Sequence, residues 1–346
     1  MAYIDKFGVE YSDDKKTLVH CPENFKGEYI ISEGVTSIEK LAFCECRGLT
    51  SIKIPNSVTS IEEGAFLQCS SLTAVTLPNS IICIGVSIFC GCKCLTSIII
   101  PNSVTSIGES AFSGCSGLID IVIPNNVTSI GKYAFFGCRG LTSIKIPDRV
   151  TSIGENAFSE CFGLTSVEFP DGITSIGTRA FQYCSGLTSI TIPSSVKSIG
   201  NQAFHDCSSL NSVSLNSNTI VNEEYTTLNN LETIFGSQVV EYILGSGVRS
   251  IGKRAFAECE SLKSVIISNG VTSIGDEAFS ACNIKSIKIP NSVTRIEDGA
   301  FEYCYGLEIF YDGTMAQWNT IIGKTDWNRN DSILGVHCSD GVIEDF

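Results

Sequence analysis

The thiols are the side chains with the greatest capacity for chemistry in this sequence. Seventeen cysteines occur in 346 residues, and the densest group is Cys90, Cys92 and Cys94, with Cys83 nearby. Such a group could hold a soft metal or act as a redox site. A zinc site, however, is a tetrahedron in which a second cysteine pair or histidine completes the first cysteine pair. No histidine accompanies these residues. We therefore expect neither a metal nor a cofactor.

Eleven of the cysteines share one position, three residues after a phenylalanine. The phenylalanines from Phe43 to Phe204 recur every 23 residues, and the series resumes with Phe256, Phe279 and Phe301. The chain is therefore a repeat array, in which each unit buries its apolar side chains against its neighbours. The cysteines of this column are Cys46, Cys69, Cys92, Cys115, Cys138, Cys161, Cys184, Cys207, Cys259, Cys282 and Cys304.

Two states of this cysteine column are conceivable. Adjacent coils lie about 4.8 Å apart, so disulfides between neighbouring column members fall within the permitted Cα separation of about 4.4–6.8 Å. The alternative is a column of buried, reduced thiols, since a free cysteine packs as a small hydrophobic side chain. Because the position adjoins the phenylalanine column, we expect buried thiols.

No catalytic set can be assembled from histidine or acidic residues. The three histidines, His20, His205 and His337, lie in different repeats, so neither a Ser-His-acid set nor a His-x-x-x-His pair forms. Asp120 and Glu168 are the best carboxylate pair for acid–base chemistry. They lie on predicted strands two coils apart, about 10 Å, with no flanking pocket implied. We expect no enzymatic activity.

One repeat predicts its own local structure. In Leu141–Pro147 the isoleucines alternate with outward residues at the period of a strand, and Pro147 ends that strand. A second extended piece, Val-Thr-Ser-Ile, precedes a position that is usually glycine. Glu39, Glu62 and Glu297 also occupy this position, so a positive φ is not required there. The Ala-Phe-x-x-Cys piece suits one helical or 3₁₀ turn with its phenylalanine and cysteine in the core.

The repeat Leu-x-x-Ile-x-Ile-Pro-x-x-Val-x-x-Ile-Gly-x-x-Ala-Phe-x-x-Cys resembles the 23-residue unit of the bacterial BspA-like leucine-rich repeats. This resemblance implies a solenoid with a curved parallel β-sheet of about 12–13 short strands, short helical or 3₁₀ turns and a second row of short extended segments. We place the repeat array at residues 26–306. An irregular 29-residue unit spans residues 210–238, and we expect its surplus to bulge outward while the sheet continues.

Both ends of the array read as caps, which a solenoid needs to shield its terminal coils. Residues 1–25 form the N-terminal cap, with a hairpin predicted over residues 8–19. Residues 307–346 form the C-terminal cap, with an amphipathic helix predicted near Trp318 and Ile321.

Composition excludes some partners and locations. A formal charge of −14 and a pI near 4.7 argue against nucleic acid, which needs a basic footprint. The longest apolar runs are far shorter than a membrane span, so we expect no membrane insertion. The first residues contain no apolar signal-peptide core, which leaves a cytoplasmic location open. The family resemblance instead implies a protein that is secreted or displayed on the cell surface.

The outward residues of the predicted sheet are the candidate binding residues. Small polar side chains dominate this face, and two apolar pairs, Ile99 with Val122 and Ile243 with Ile266, interrupt it. Exposed apolar patches on a polar surface are where partners bind. The candidate residues on the concave face are Ile99, Asp120, Val122, Lys145, Glu168, Glu241, Ile243 and Ile266.

The sequence thus predicts a non-enzymatic binding or adhesion scaffold. Its partner is expected to be another protein or a glycan, contacted through the sheet, and the chain is expected to be a monomer. The alternative is a passive spacer module of a larger surface assembly, with no specific ligand. Fold alone does not decide between them.

Overall fold

The computed structural model describes residues 2–226, 229–322, 325–328 and 333–344. The chain divides into two compact units, residues 1–186 and 187–346. The strands of the first unit are β1 (Tyr3–Ile4), β2 (Glu10–Tyr11), β3 (Thr17–His20), β4 (Lys26–Ile30), β5 (Ser37–Ile38), β6 (Gly48–Lys53), β7 (Ser60–Ile61), β8 (Ala74–Thr76), β9 (Cys83–Ile84), β10 (Ser106–Ile107), β11 (Ser129–Ile130), β12 (Ser143–Lys145), β13 (Ser152–Ile153), β14 (Ser166–Glu168) and β15 (Ser175–Ile176).

The first unit carries two rows of parallel strands, as the repeat predicts. The main row holds β4, β6 and β8 in one sheet and β12 with β14 in another. Two coils separate these sheets, and their described residues are paired by an isolated parallel bridge between Ile99 and Val122. The second row pairs the two-residue Ser-Ile segments of successive coils in register, for example Ile130 with Ile153.

The second unit contains the remaining strands and the three helices of the described residues. Its elements are β16 (Ser189–Ile192), β17 (Ser198–Ile199), β18 (Ser212–Leu215), α1 (Asn218–Val221), α2 (Leu231–Phe235), β19 (Glu241–Leu244), β20 (Ser250–Ile251), β21 (Ser264–Ile267), β22 (Ser273–Ile274), β23 (Ser286–Ile289), β24 (Arg295–Ile296), β25 (Leu307–Tyr311), α3 (Met315–Ile322), β26 (Ile333–Cys338) and β27 (Gly341–Ile343).

The main row of the second unit is one sheet. Strands β16, β18, β19, β21, β23, β25 and β26 are parallel neighbours in that order, and β27 closes the edge antiparallel to β26. Strands β20, β22 and β24 form the second row. The leucine-rich repeat solenoid expected from the sequence is therefore confirmed as the fold.

The phenylalanine column is a stack of fully buried rings. In the first unit the stack runs from Phe43 to Phe181, with centroids of neighbouring rings 5.1–5.5 Å apart and interplanar angles of 5–22°. In the second unit Phe256, Phe279 and Phe301 stack at 5.1 and 5.4 Å. Each ring removes about 150–250 Å² of surface from water, so this column forms the centre of the core.

The Ala-Phe-x-x-Cys piece differs from the predicted helical or 3₁₀ turn. In the coil around Phe158 it forms two successive turns, closed by Ala157 N–H to Gly154 O at 3.3 Å and Cys161 N–H to Phe158 O at 3.3 Å. The third residue of each turn is left-handed, with φ of 54° at Asn156 and 60° at Glu160. This is the geometry of a type II turn.

The physical reason for this difference is that the backbone pairs between coils rather than within one. Phe158 N–H donates to Ala180 O at 2.7 Å, and Glu160 N–H donates to Gln182 O at 2.9 Å. A helical turn would direct these donors along its own axis. The two left-handed columns of the first unit are Leu41, Gly64, Ser87, Ser110, Tyr133, Asn156 and Arg179, and Glu45, Gln68, Gly91, Gly114, Gly137, Glu160 and Tyr183.

The glycine that follows the second-row isoleucine is needed for space, not for positive φ. None of Gly108, Gly131 and Gly154 is left-handed, which agrees with the glutamates that replace this glycine in other repeats. A Cβ atom on Gly154 would lie 2.6 Å from the carbonyl carbon and oxygen of Gly131 in the preceding coil. The backbones of adjacent coils approach each other here too closely for a side chain.

We expect Gly154→Ala to lower the free energy of unfolding by about 1–3 kcal/mol, the usual cost of overpacking. Urea denaturation followed by circular dichroism measures this loss. Gly172→Ala is the matched control, because a Cβ atom there would meet only Asp148 O, at an ordinary 3.4 Å. Equal losses in the two variants would contradict the close-approach explanation.

The cysteine column is buried at all eleven positions, as predicted. Eight of its thiols have a specific role, because each of them donates to the carbonyl of the phenylalanine one coil earlier. Cys138 Sγ lies 3.2 Å from Phe112 O, Cys161 Sγ lies 3.2 Å from Phe135 O, and Cys282 Sγ lies 2.8 Å from Phe256 O. This contact needs the thiol proton, so it supports reduced cysteines in the core.

Titration with Ellman's reagent should separate buried from exposed thiols. In the native chain we expect rapid reaction at the exposed Cys83 and Cys94, and little from the column. Burial raises the pKa of Cys161 to about 12, which suppresses the reactive thiolate. Most of the 17 thiols should react after denaturation without reductant. Reaction of almost none would show that the column forms disulfides.

The irregular unit keeps the sheet continuous, as predicted. Strand β19 pairs with β18 on one side and β21 on the other, and Tyr242 and Leu244 point inward. The expected outward bulge is only partly observed. Residues 222–224 are exposed, but Ile220, Val221 and Tyr225 are buried. These apolar side chains enter the core because helix α1 packs on β17, β18 and β20.

The predicted elements at both ends are present. Strands β2 and β3 form the antiparallel hairpin at the N-terminus. At the C-terminus, helix α3 buries Trp318 and Ile321, and the Trp318 ring meets Trp327 edge-on at 5.4 Å. The exact limits of the caps remain a prediction.

Candidate binding face of the parallel sheet

The face of the main row in the first unit exposes Ile99 and Val122 almost completely. Their side chains are 85% and 74% exposed, although they lie on adjacent coils joined by the bridge between these two residues. Strand alternation explains the exposure, since the neighbouring isoleucines of each coil point into the core. The two side chains border a shallow depression of about 380 Å³, lined by Ser97, Ile98, Ile99, Ile100, Asn102, Asp120, Ile121, Val122 and Pro124.

Ile119 is a further exposed apolar residue of the coil that carries Val122 and was not among the predicted residues. It is 54% exposed. In other coils a threonine at this position donates to the preceding coil, as Thr165 Oγ1 does to Thr142 O at 3.0 Å. Isoleucine cannot make this bond. The sequence does signal this residue, because isoleucine replaces the threonine that the neighbouring repeats carry at this position. Aligning the repeats at this position alone would have identified Ile119.

The charged candidates of the first unit lie beside the apolar pair. Asp120 lines the depression, and Lys145 and Glu168 face each other on β12 and β14 with Nζ and Oε2 3.9 Å apart. Both side chains of this ion pair are more than 70% exposed, so solvent screens their attraction and it contributes little to stability. The pair remains available to a partner.

The second unit presents its own candidates on the face of its sheet. Ile243 and Ile266 are register partners on β19 and β21. Ile266 is 51% exposed, whereas Ile243, predicted to be exposed, is half-buried. Glu241 accepts a hydrogen bond from Ser212 Oγ at 2.9 Å. Further along the same face, Phe310 stacks on the His337 ring with centroids 4.6 Å apart. The sequence prediction did not include this aromatic pair.

Across the described ranges, no group of three or more histidine, cysteine, aspartate or glutamate side chains is placed to hold a metal ion. The thiols of Cys90 and Cys92 diverge, since Cys92 is buried in the column and Cys90 lies part-exposed beside it. In the part of the chain that the structure describes, no helix is long and apolar enough to cross a membrane.

Comparison with protein families identifies the repeat. The family model described as the BspA type leucine-rich repeat region (6 copies) matches residues 26–142, 128–244 and 235–317. These matches span most of the chain. The chain belongs to the BspA-type leucine-rich repeat family.

Several solved structures of leucine-rich repeat proteins are similar to this chain. A leucine-rich repeat protein from Bacteroides ovatus is 24% identical over 95% of this chain and 97% of its own, with a TM-score of 0.57. A leucine-rich cell surface protein from Faecalibacterium prausnitzii is 27% identical, with 94% and 98% coverage and a TM-score of 0.46. A leucine-rich repeat protein from T. pallidum is 25% identical, with 59% and 87% coverage and a TM-score of 0.47. Comparison with curated proteins finds no match.

Proposed function

We propose that this protein is a non-enzymatic binding scaffold that contacts another protein or a glycan through the face of its main sheet. The centre of the contact is the apolar surface of Ile99, Val122 and Ile119. Asp120, Lys145 and Glu168 surround it with charged groups, and Glu241, Ile243 and Ile266 provide a second contact on the other unit. The family, whose repeat scaffold is typical of surface proteins, supports a role in adhesion.

The observation that carries this proposal is the exposure of Ile99 and Val122 at 85% and 74%. Leaving two large aliphatic side chains in water costs the burial energy that they would gain in a core, about 1.5–3 kcal/mol each. A partner that covers them recovers this energy, and an aliphatic centre with a polar rim is the usual arrangement of an interface. A passive spacer would have no use for such a surface.

An Ile99→Lys, Val122→Lys double variant should lose at least tenfold in affinity for any partner of the sheet face. Arrays of glycans and of immobilised extracellular proteins, probed with the parent and the variant, measure the loss. Thr76→Lys, Ser143→Lys is the matched control, because it adds the same two charges at outward positions of the same face.

The outcomes separate the two functions under consideration. Retained binding in the double variant, or equal loss in both double variants, would contradict a contact at Ile99 and Val122. A parent chain that binds nothing on either array would favour the passive spacer. Circular dichroism of each variant checks that the fold is intact.

We propose the cell surface or the secreted fraction as the location of this chain. The support is membership of a family whose repeats are typical of surface proteins. A free apolar face is also more useful to a protein that meets its partner outside the cell. Fractionation of the source cells, with protease treatment of intact cells, tests the location.

A further inference from the structure

A groove on the turn side of the second unit is lined by an unusual density of carboxylates. It has a volume of about 810 Å³, and its acidic residues are Glu232, Glu258, Glu260, Glu277 and Glu302. They come from helix α2 of the irregular unit and from the turns of the next three coils. The groove therefore combines one carboxylate of the irregular unit with four from regular coils.

Most acidic residues on the turn side of other coils have a basic neighbour, but two in this groove do not. Glu160 pairs with Arg139 at 3.1 Å and Glu155 pairs with Lys132 at 3.2 Å. Within the groove, Glu277 pairs with Arg254 at 2.6 Å. Among the described residues, Glu258 and Glu260 have no ion pair, and both are exposed. A concave surface with uncompensated charge of one sign concentrates cations.

A buried hydroxyl without a partner lies beside this groove. Tyr242 is 1% exposed, and its hydroxyl has no hydrogen-bond partner within the described residues. The tyrosine lines a narrow cavity together with Glu232, Ser237 and Ser261, the same three residues that line the groove. The cavity does not admit a water molecule. Buried polar groups are normally paired, so this hydroxyl indicates a missing interaction.

Glu232 connects the hydroxyl to the groove. Its side chain is half-buried and lines both spaces. Burial raises the pKa of Glu232 and outweighs a hydrogen bond with the Cys259 side chain that lowers it, and the nearby Glu260 and Glu258 carboxylates raise it further. A cation in the groove would favour the ionised carboxylate of Glu232, and an ionised carboxylate is a strong acceptor for a hydroxyl such as that of Tyr242.

We propose that this groove binds a primary alkylammonium chain, with Glu258 and Glu260 attracting its charges at the rim and Glu232, backed by Tyr242, holding one ammonium at the deep end. Primary ammonium groups match separated carboxylates because each ammonium has three rotatable donors on a flexible stem. Two sources carry this chemistry: a free polyamine, and the lysine side chains of a basic segment of a partner protein.

Calorimetric titration of the full chain at low salt tests the proposal, with spermidine and pentalysine as probes. We expect saturable binding of at least one probe. Glu258→Gln, Glu260→Gln should weaken it at least tenfold, and Tyr242→Phe should weaken it several-fold. Tighter binding of pentalysine would assign the site to a protein segment, and tighter binding of spermidine would assign it to a polyamine.

The matched control is Glu33→Gln, Glu109→Gln, which removes the same charge from exposed glutamates of the other unit. It should change the affinity less than twofold, and the Ile99→Lys, Val122→Lys variant should also leave it unchanged. Three results would overturn the proposal: no binding of either probe, equal weakening in the control, or displacement of the probe by equimolar Mg²⁺, which would indicate a metal site. The double glutamine variant changes only exposed side chains, so it tests the site even where Tyr242→Phe fails to fold.

Discussion

A Phe158→Ala variant should lose about 3–5 kcal/mol of its free energy of unfolding, the range for truncating a fully buried aromatic side chain. The Phe158 ring lies between those of Phe135 and Phe181, at centroid distances of 5.1 and 5.2 Å and within 5° of parallel to each. Its removal leaves a cavity that neighbouring rings cannot fill, because each is held by its own coil. Urea denaturation measures the loss.

Phe162→Ala is the matched control for this truncation. Phe162 lies four residues later in the same coil, but its ring is 39% exposed and its nearest charged contact is the Arg139 guanidinium at 5.1 Å. We expect a loss of less than about 1 kcal/mol, because little buried surface is removed. Equal urea midpoints for the two variants would show that the phenylalanine column does not dominate the core.

The fold could be predicted because one short phrase specifies both its strands and its core. Strand β12 stops before Pro147, the phenylalanine column is buried, and the cysteine column is buried, each as the residue types require. The left-handed turns could not be predicted in the same way. Residues as different as Tyr133, Asn156 and Glu160 adopt positive φ, since hydrogen bonds to the next coil impose the conformation whatever the side chain.

The irregular unit shows where the repeat stops being informative. Phe235 takes the place of the missing phenylalanine and stacks on Phe204 at 5.3 Å, although it falls outside the 23-residue spacing. Gln238 replaces the cysteine, and its Nε2 donates to Phe235 O of its own coil at 2.6 Å. In the regular coils a thiol instead donates to the phenylalanine carbonyl one coil earlier. One carboxylate of the acidic groove, Glu232, lies on helix α2 of this unit, so the repeat alone does not predict the groove.

The candidate binding face could be predicted only in part. Alternation along each strand identified Ile99, Val122 and Ile266 as exposed, because period-two geometry is fixed once the core residues are known. Ile119 lies outside that alternation, three residues before Val122, and the Phe310–His337 stack depends on the path of the C-terminal strands. Neither follows from the repeat.

Raising the pH from 7 to about 9.5 should lower the free energy of unfolding of the first unit by about 7 kcal/mol. Burial raises the pKa of Cys161 to about 12, and it also raises the pKa of each of the other four thiols in this part of the column, Cys69, Cys92, Cys115 and Cys138. An unfolded thiol has a pKa of about 8.5. The folded pKa values are the higher ones, so the thiols contribute fully to stability below about pH 8.5.

Above that pH the unfolded chain loses thiol protons that the folded chain retains. The free energy of unfolding therefore falls as the pH rises, and the slope of this fall is proportional to the number of such thiols. One pH unit above the unfolded pKa, each thiol contributes a loss of about 1.4 kcal/mol, and five contribute about 7 kcal/mol. Whole domains are stabilised by only about 5–15 kcal/mol. Alkaline unfolding should therefore begin well below the pH at which lysine side chains lose their charge.

Urea denaturation at pH 7 and pH 9.5, under reductant, measures this loss in the parent and in two variants with a truncated core. Cys138→Ala removes one titrating thiol, so about 1.4 kcal/mol less stability should be lost between the two pH values. Val127→Ala truncates a side chain that is also fully buried but has no proton to lose, and its pH dependence should equal that of the parent. Identical pH dependence in all three proteins would contradict the assignment, because the column would then be oxidised or its protons would be equally held in the unfolded chain.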